Sequence, residues 1–480
     1  MDDNRPFAKT EPEAMTVKTR FAPSPTGFIH LGNARTALFN ALLGRGEGKT
    51  FLLRIEDTDR DRSREEFVAA LEEDLTWLGL AWQEGPVVGG EHGPYFQSQR
   101  EAVYGHYYRQ LEERDLAYPC FCSEAELKLS RKLQRSAGQP PRYSGKCAHL
   151  SAQERQRRRQ DNPHPTLRFR VPRDREISFD DLVRGPQRFD SNEIGDFIIR
   201  RGDGSAAFFF SNAIDDALMG VTHVLRGEDH LTNTPRQQLI LEALGLRPPR
   251  YGHISMIVGH DGAPLSKRHG SRSIRELRQQ GYFPQAVVNY LARLGHKYDE
   301  EGFLGLDQLA AQFRFERLGR APARYDAHQL LHWQHQALAA ASADEIWQWM
   351  GPEVRELVGE ERRNEFLDLV VANISFPEHA LHWARVLYQD PLNLSDEMRE
   401  VVAAAGREFF QQALLALELH PADFKAFSGA IKQATGVKGK ALFQPLRAAL
   451  TGELGGPEMS KLMRVLGPER LRQRLRACLQ

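Results

Sequence analysis

The first residue with candidate chemistry is a histidine between a rigid loop and a helical pattern. The stretch FAPSPTGFIHLGN, residues 21–33, contains Pro23 and Pro25, which restrict the backbone, and ends with His30 and Gly32. A helix N-terminus presents free N–H groups and a partial positive charge, so it favours phosphate. Gly32 lets a nucleotide approach closely, and His30 can donate a hydrogen bond to it. The alternative is a tight turn with His30 as a surface cap.

A second loop with phosphate-binding character lies far downstream. The segment GHDGAPLSKRHGS, residues 259–271, has glycines on both sides of a Ser-Lys-Arg core. Lys267 can set a mobile cation against a polyphosphate, and Ser266 adds a neutral donor. By itself a solvated basic loop is the better interpretation. Two such loops in one α/β domain favour a nucleotide site.

Three cysteines and a histidine form two closely spaced pairs. Cys120-x-Cys122 is followed, after 24 residues, by Cys147-x-His149. Such pairs on separate turns suit a tetrahedral zinc site, and Tyr143 could lie beside the metal. Spacing by one residue is less usual than by two. Metal-free buried cysteines with a surface histidine are therefore an equally good interpretation.

The elements around these residues predict an α/β domain. Residues 19–22 predict a strand, and TFLLRIEDTD predicts a buried strand that ends in acids. Between them apolar residues recur at helical spacing: Ala34, Ala37, Leu38, Ala41 and Leu42. Strand, loop, helix and strand begin a doubly wound fold, in which ligands bind where strands end. The α/β pattern returns near IDDALMGVTHVLRGEDH, which predicts an insertion in between, and the chain after residue 273 is mostly helical in pattern.

Composition limits the class of protein. The chain has 480 residues, which predicts two or more domains, and its 64 basic residues balance 64 acidic ones. Zero net charge argues against a wholly basic nucleic-acid coat but permits local basic patches. We find no apolar run of membrane-spanning length, no signal-peptide pattern in residues 1–18, and too few cysteines for a disulfide scaffold. We therefore expect a cytoplasmic protein with Cys478 as a lone thiol.

Four blocks of sequence together resemble bacterial glutamyl-tRNA synthetases, a family of class I aminoacyl-tRNA synthetases. These are FAPSPTGFIHLGNARTALFN, LLRIEDTDR, DDALMGVTHVLRGEDHLTNTPRQ and PLSKRHG. HLGN is similar to the family's HIGH signature and PLSKR to its KMSKS signature. Asn33 and Pro264 depart from these signatures, and Phe208 replaces a tyrosine that the family has beside glutamate. The resemblance extends from Thr19 to the C-terminus, where GVKGKALFQPLRAALTGELGGPE is similar to the end of the family's anticodon-binding region.

The resemblance implies an α/β + α fold. We expect a Rossmann-type class I catalytic domain split by a zinc-containing insertion, then a helical stem-contact domain and an all-α anticodon-binding domain. The predicted boundaries are an N-terminal extension at 1–18, catalytic halves at 19–95 and 209–262, an acceptor-stem-binding insertion at 96–208, a stem-contact domain with the KMSKS-like loop at 263–340, and the anticodon-binding region at 341–480.

The resemblance also implies an ATP-dependent, AMP-forming ligase. The α-carboxylate of glutamate would displace pyrophosphate from ATP, and the terminal adenosine of tRNA(Glu) would then accept the glutamyl group. His30 and Lys267 are the expected catalytic residues, with Mg²⁺ sharing the phosphate charge. The residues expected to bind ATP are His30, Gly32, Asn33, Ser266, Lys267 and Arg268.

Five positions correspond to the family's glutamate contacts. Arg20 would fork onto the side-chain carboxylate with Ser24 nearby. Glu56 would hold the ammonium group, and Asn212 and Arg226 would contact the α-carboxylate end. From the residues alone, a salt bridge between strand ends explains Arg20 and Glu56 at least as well.

The resemblance favours structural zinc in the insertion, with Cys120, Cys122, Cys147 and His149 as ligands.

RNA contacts are less specific in sequence. Residues 153–175 hold eight arginines against three acids, and the chain ends in RLRQRLRAC. A phosphate-contacting face and a solvated helix face are equally good interpretations of the first stretch. Four aromatic residues could stack on anticodon bases, but core packing is the stronger expectation: Trp347, Trp349, Trp383 and Phe443.

The sequence does not decide between several binding partners. We expect a monomer that binds glutamate and tRNA(Glu) and no membrane, and charging of tRNA(Gln) is not excluded by any residue we can identify. A truncated paralogue that glutamylates a base of aspartate tRNA lacks residues like 340–480, which argues against that activity. A non-catalytic tRNA-binding protein is the remaining alternative. Intact His30 and Lys267 argue against it.

Overall fold

The computed structural model describes residues 16–59, 61–265 and 272–479. These form two compact units, and each is described by itself. The first unit comprises the chain up to Leu277 together with Pro284–Leu330. The second unit joins Arg278–Phe283 to the chain from Leu331 onwards.

The first unit contains both strands and helices. Its elements in chain order are β1 (Lys18–Phe21), α1 (Leu31–Leu43), β2 (Thr50–Leu53), α2 (Glu65–Trp77), α3 (Glu101–Glu113), β3 (Ala117–Cys120), α4 (Glu124–Ser136), α5 (Ala152–Asp161), β4 (Thr166–Phe169), β5 (Glu176–Asp181), β6 (Gly185–Asp190), α6 (Ser191–Ile194), β7 (Phe197–Arg200), α7 (Phe208–Leu218), β8 (His223–Gly227), α8 (Thr234–Leu244), β9 (Arg250–Ile254), β10 (Ile257–Val258), α9 (Ile274–Gln280), α10 (Pro284–Arg293), α11 (Leu306–Gln312) and β11 (Ala323–Arg324). Helix α9 ends within the second unit.

A parallel four-stranded sheet in the order β2-β1-β8-β9 forms the centre of this unit. Parallel strands need both faces covered, and β1 and β2 are accordingly buried over all but their first residues. Strands β1 and β2 precede the inserted region in sequence, whereas β8 and β9 follow it. The strand order therefore changes direction between β1 and β8, which is the place where open α/β sheets bind ligands.

The region between the two halves folds around its own antiparallel elements. Strands β3, β4 and β7 form a three-stranded sheet, and β5 pairs with β6 in a hairpin. Helices α4 and α5 each begin with a serine capping box and contain no buried residue. Stacked aromatic rings, such as Tyr108 on Phe210 at 4.3 Å between centroids, join this region to α7.

The second unit is helical. Helix α12 (Ala327–Ala340) leads into α13 (Ala343–Trp349), α14 (Pro352–Val358), α15 (Arg363–Val370), α16 (Pro377–Tyr388), α17 (Asp396–Leu419), α18 (Phe424–Thr435), α19 (Lys440–Thr451) and α20 (Met459–Ala477). Trp347 and Trp383 are buried in its core, as predicted, whereas Phe443 is 42% exposed. Among the described residues, none of these helices or those of the first unit is long and apolar enough to cross a membrane.

The basic C-terminal helix α20 is less exposed than its sequence predicts. Arg474 is buried, and its guanidinium group donates to the carbonyl oxygens of Leu450 and Val386. Arg470 forms an ion pair with Asp390 at 2.7 Å. These arginines satisfy carbonyl groups and an acid of the same unit, so only part of the basic pattern remains for a partner.

Candidate active site

A cavity of about 420 Å³ opens where β1 and β8 end and α1 begins. Eight residues singled out in the sequence line it: Arg20, Ser24, His30, Gly32, Asn33, Glu56, Asn212 and Arg226. Phe208 and Pro264, which like Asn33 depart from the family's pattern, also line the cavity. Ser266, Lys267 and Arg268 lie outside the described residues.

The helix α1 begins at His30 as expected for a cap. The Gly32 N–H donates to His30 Nδ1 at 3.2 Å, and a Cβ at Gly32 would lie 3.2 Å from the same nitrogen. Desolvation lowers the pKa of His30, so the ring is neutral at pH 7. Because Nδ1 accepts, the ring proton is on Nε2, which can donate to a phosphate oxygen. The sequence suggested either a surface cap or a phosphate donor, and the geometry is compatible with both roles at once.

Arg20 is buried at the end of β1 and is already partly engaged. Its Nε and Nη2 donate to the carboxylate of Asp216 at 3.2 and 3.4 Å. Arg54 donates to the same carboxylate from Nη1 at 2.8 Å. Burial alone would raise the pKa of Asp216, but the two guanidinium groups outweigh it and lower that pKa. The fork expected for a substrate carboxylate is thus occupied by Asp216, and Nη1 of Arg20 donates to none of the described residues.

Glu56 follows β2 and is buried with one free oxygen. Its Oε1 has no hydrogen-bond partner, although Arg54 Nη2 lies 3.6 Å away. Burial raises the pKa of Glu56 to about 7, against the opposing charges of Arg54 and Arg20. The neighbouring Asn212 lowers the pKa of Glu56 through its side chain, yet its Nδ2 is buried without a full hydrogen bond among the described residues, while its Oδ1 accepts from Arg54 at 3.0 Å.

Arg226, near the end of β8, is buried among neutral partners. Its Nε donates to His253 at 3.1 Å, and its Nη2 donates to Thr234 and Gln237 at 2.8 Å. Nη1 is buried without a hydrogen-bond partner. Burial lowers the pKa of Arg226 to about 10, because no carboxylate forms an ion pair with it among the described residues. An unpaired buried donor of this kind is costly unless a ligand satisfies it.

Three thiols converge in the inserted region. The sulfur atoms of Cys120, Cys122 and Cys147 all lie within 4.8 Å of one another. The Tyr143 hydroxyl is 3.4 Å from Cys120 Sγ and 3.6 Å from Cys122 Sγ. Thiolates close enough to share one ion are the donor set that zinc prefers. The residues present therefore fit a structural zinc ion.

His149, the expected fourth ligand, lies elsewhere. It is exposed and is not part of the group of sulfur atoms. The turn that buries Cys147 and Ala148 leaves the next side chain at the surface, and the Tyr143 hydroxyl lies beside the sulfurs instead, accepting from the Cys147 N–H at 2.9 Å. The structure therefore supports three of the four predicted ligands.

Known proteins resemble the chain over almost its entire length. The family model for tRNA synthetases class I (E and Q), catalytic domain, matches residues 16–332, and the model for the anticodon binding domain matches residues 329–479. Glutamate–tRNA ligase 2 of Nitrosococcus oceani is 60% identical over 96% of this chain and 98% of its own length. Glutamate–tRNA ligase 1 of Methylococcus capsulatus is 59% identical over 96% and 98%.

The chain belongs to the glutamate–tRNA ligase family. A crystal structure of a glutamate tRNA ligase from Elizabethkingia meningosepticum, in complex with its amino acid, superposes with a TM-score of 0.84 at 28% identity, covering 97% of this chain and 99% of that one. As a member of this family the chain is an aminoacyl-tRNA ligase with a class I catalytic domain and an anticodon-binding domain.

Sequence reasoning missed the buried charges beneath the ligase cavity. Arg54 and Asp216 hold Arg20 and Asn212 in place, and Asp215 pairs with Arg100 at 2.7 Å. Their signal was present, because a charged residue within apolar runs such as TFLLRIE and NAIDDAL must have a buried partner.

The arginine-rich stretch of this ligase is divided between structure and surface. Arg168 is buried, with its guanidinium 3.8 Å from the centre of the Tyr143 ring. Arg170 and Arg175 form ion pairs with acidic side chains. Arg157, Arg159 and Arg173 are exposed and remain candidates for phosphate contacts.

Proposed function

We propose that the cavity binds glutamate for activation through three buried atoms of its lining that have no hydrogen-bond partner among the described residues: Glu56 Oε1, Asn212 Nδ2 and Arg226 Nη1. Polar atoms buried in this state are rare in folded proteins unless a ligand completes them. One acceptor and two donors match an ammonium group and carboxylate oxygens. This set of unpaired atoms is the observation that carries the proposal.

Charge supports an anionic amino acid. Four buried guanidinium groups and two buried carboxylates lie at or directly beneath the cavity, which leaves positive charge in excess: Arg20, Arg35, Arg54, Arg226, Glu56 and Asp216. Glutamate carries one net negative charge at pH 7, whereas glutamine carries none. The excess charge therefore favours glutamate over glutamine at short range, where the surroundings screen it weakly.

The two arginines divide the substrate's carboxylates between them. Each retains Nη1 for substrate, so each supplies a single contact rather than a fork. Following the family assignment, Arg20 takes the side-chain carboxylate, Arg226 and Asn212 take the α-carboxylate, and Glu56 takes the ammonium group. Ser24 lies at the same wall of the cavity.

Activation then needs alignment and charge rather than a covalent nucleophile. The α-carboxylate oxygen attacks the α-phosphorus of ATP, and pyrophosphate leaves. His30 Nε2–H, at the start of α1, donates to the phosphates together with the free N–H groups of that helix. Gly32 and Asn33 border the same position, and Ser266, Lys267 and Arg268 are proposed to contact the phosphates. Mg²⁺ would supply further positive charge to them.

The transfer step releases AMP. The terminal ribose hydroxyl of tRNA attacks the carbonyl carbon of glutamyl-adenylate, and its proton leaves with the phosphate side. Proposed partners are tRNA(Glu) and, undecided by any identified residue, tRNA(Gln). A monomeric state and a cytoplasmic location stay predictions.

Zinc is proposed as a structural element of the insertion. Cys120, Cys122 and Cys147 would hold it, and Tyr143 lies nearest to the remaining position. Its contribution would be to fix the turn between β3 and α4, since α4 itself contributes no buried side chain.

Transfer of radiolabelled glutamate to separate glutamate, glutamine and aspartate tRNAs tests the proposal. Charging of tRNA(Glu) is expected, and additional charging of tRNA(Gln) would identify a non-discriminating enzyme. If none is charged while ATP–pyrophosphate exchange is also absent, the activation site is assigned wrongly.

Lys267 provides a separate test of the second loop. Lys267→Ala should lose glutamate activation by more than about 100-fold with an unchanged melting temperature, because a cation on the phosphates stabilises mainly the transition state. ATP–pyrophosphate exchange measures it, with Lys297→Ala as a surface control. Unchanged turnover in Lys267→Ala would exclude a catalytic role.

A further inference from the structure

Arg226 is held by a line of buried side chains that begins in the hairpin β5–β6. Asp181 is the last residue of β5 and is 4% exposed, and His253 in β9 is fully buried. Asp181 Oδ2 lies 2.5 Å from His253 Nδ1. On the other side of the ring, His253 Nε2 lies 3.1 Å from Nε of Arg226.

The hydrogen bonds determine the tautomer of His253. Arg226 Nε–H can only donate, so His253 Nε2 must accept and cannot carry a proton. The Thr234 hydroxyl also lies 3.1 Å from Nε2. The ring proton is therefore on Nδ1 and is donated to Asp181. Burial lowers the pKa of His253, which agrees with a neutral ring.

Asp181 is itself fixed by the backbone. Its Oδ1 accepts from the N–H groups of Val183, Arg184 and His253 at 3.0, 2.8 and 3.1 Å. With one oxygen held by three donors, the carboxylate cannot rotate, and its other oxygen faces the imidazole. The hairpin end also packs tightly on β9, since a Cβ at Gly252 would lie 3.3 Å from Leu182 Cβ.

We propose that Asp181 is a positioning residue for the amino acid: through His253 it fixes the guanidinium group of Arg226 so that Nη1 is presented to substrate. The inference rests on the proposed role of Arg226. It places one determinant of glutamate binding in the inserted region, well away in sequence from the strand that carries Arg226. A carboxylate that fixes the tautomer of a functional imidazole is a recurrent device in enzymes.

Asp181→Asn tests this with almost no change in shape. The amide can turn its NH₂ group toward His253 or toward the three backbone N–H groups, and in either case a donor meets a donor. If the NH₂ group faces His253, the ring proton moves to Nε2 and opposes Arg226. The KM for glutamate should rise at least about tenfold, while the KM for ATP should stay within about twofold.

Asp180→Asn is the matched control. Asp180 is adjacent in β5 but exposed, so the same chemical change should leave both KM values unchanged. All reactions contain tRNA(Glu), and ATP–pyrophosphate exchange is measured. An unchanged glutamate KM in Asp181→Asn, or an equal rise for glutamate and ATP, would overturn the positioning role.

The tautomer can also be measured directly in the unaltered enzyme. Nitrogen-15 labelling of histidine in the unaltered enzyme, with His253 assigned by comparison with His253→Gln, should show Nδ1 protonated and Nε2 unprotonated. A protonated Nε2 in the unaltered enzyme would overturn the proposal by itself.

A double-variant cycle separates this inference from the proposed function. If Arg226→Lys raises the glutamate KM, adding Asp181→Asn should raise it little further, because both changes act on one guanidinium group. Full additivity would contradict the inference. An unchanged KM in Arg226→Lys alone would instead contradict the role of Arg226 in the proposed function.

Discussion

Two arginines at the ends of neighbouring strands face the same cavity, and their surroundings differ. Arg20 in β1 is neutralised by the carboxylate of Asp216, whereas Arg226 in β8 is bound only by neutral groups. Both guanidinium groups are almost fully buried. The first therefore serves the fold as well as the substrate, while the second forms no ion pair among the described residues, so an anionic ligand would stabilise it.

This difference shows how the pairing of buried charges can make a site favour an anionic ligand before that ligand binds. Asp216 holds Arg20 and Arg54 together, so that side of the cavity is stable when empty. The side around Arg226 retains an unpaired Nη1 and a charge without an ion-pair partner. The free-energy cost of burying the Arg226 guanidinium group is offset when an anion binds to it.

The largest expected effect follows removal of the uncompensated charge. Arg226→Gln should lower kcat/KM for glutamate by about 100-fold or more, because a substrate carboxylate loses its buried charged partner. Its melting temperature should fall less than that of Arg20→Gln, because removal of an unpaired buried charge offsets the loss of hydrogen bonds to His253, Thr234 and Gln237. Exchange kinetics and calorimetry measure the two effects, and Arg250→Gln, on the exposed start of β9, is the control. A large loss of stability would show that Arg226 is compensated after all.

Arg20→Gln should combine a loss of activity with a loss of stability. Asp216 then keeps only Arg54, so the free energy of unfolding should fall by about 1–3 kcal/mol. The activity for glutamate should fall by roughly 30-fold, somewhat less than for Arg226→Gln. Urea denaturation monitored by circular dichroism measures stability. If Arg20→Gln is as stable as the unaltered enzyme, the comparison between the two strand ends fails.

The protonation state of Glu56 should make the KM for glutamate depend on pH. The pKa of Glu56 in the empty cavity is about 7, so the KM for glutamate should rise as the pH falls below 7 and the carboxylate becomes protonated. Glu56→Gln should raise the KM about tenfold at pH 8 and remove this dependence.

Stability should respond to Glu56 in the opposite direction. The carboxyl group has a higher pKa in the folded state than its ordinary value of 4.5, so the folded state retains its proton longer. The contribution of this group to stability is therefore lost as the pH rises from about 4.5 to about 7. Glu56→Gln should lack that loss in melts over this range, and an identical pH profile for both proteins would contradict the buried assignment.

The smallest expected effect concerns a neutral group. Phe208 lies at the cavity with its ring stacked on His230, 5.2 Å between centroids. Phe208→Tyr should lower the KM for glutamate by at most about fivefold, the contribution of one hydrogen bond. Phe209→Tyr serves as the matched control in exchange kinetics. A gain comparable to the loss in Arg226→Gln would mean that charge is not the dominant interaction.

Much of this site was accessible from the sequence. The loop that ends in His30 and Gly32 predicted the helix start, and the family resemblance named eight residues that the structure places around one cavity. These features are local: a cap, a glycine and a strand end follow from a few adjacent residues.

The parts that could not be predicted depend on long-range packing. Arg20 is paired with Asp216, whereas Arg226 has no carboxylate partner among the described residues. This difference results from how β1, α7 and β8 meet, and Arg20 and Asp216 are 196 residues apart in the sequence. The exposure of His149 results from a single turn beside Cys147, and spacing alone does not fix which side chain that turn buries.

The division of roles between Arg20 and Arg226 is tested most directly with two inhibitors of ATP–pyrophosphate exchange. Glutamine lacks the side-chain charge, and 4-aminobutanoate lacks the α-carboxylate. Arg226→Gln should weaken inhibition by glutamine and leave that by 4-aminobutanoate unchanged, whereas Arg20→Gln should do the reverse. If both inhibitors lose affinity equally in each variant, or if the pattern is exchanged, the account of the two strand ends is wrong.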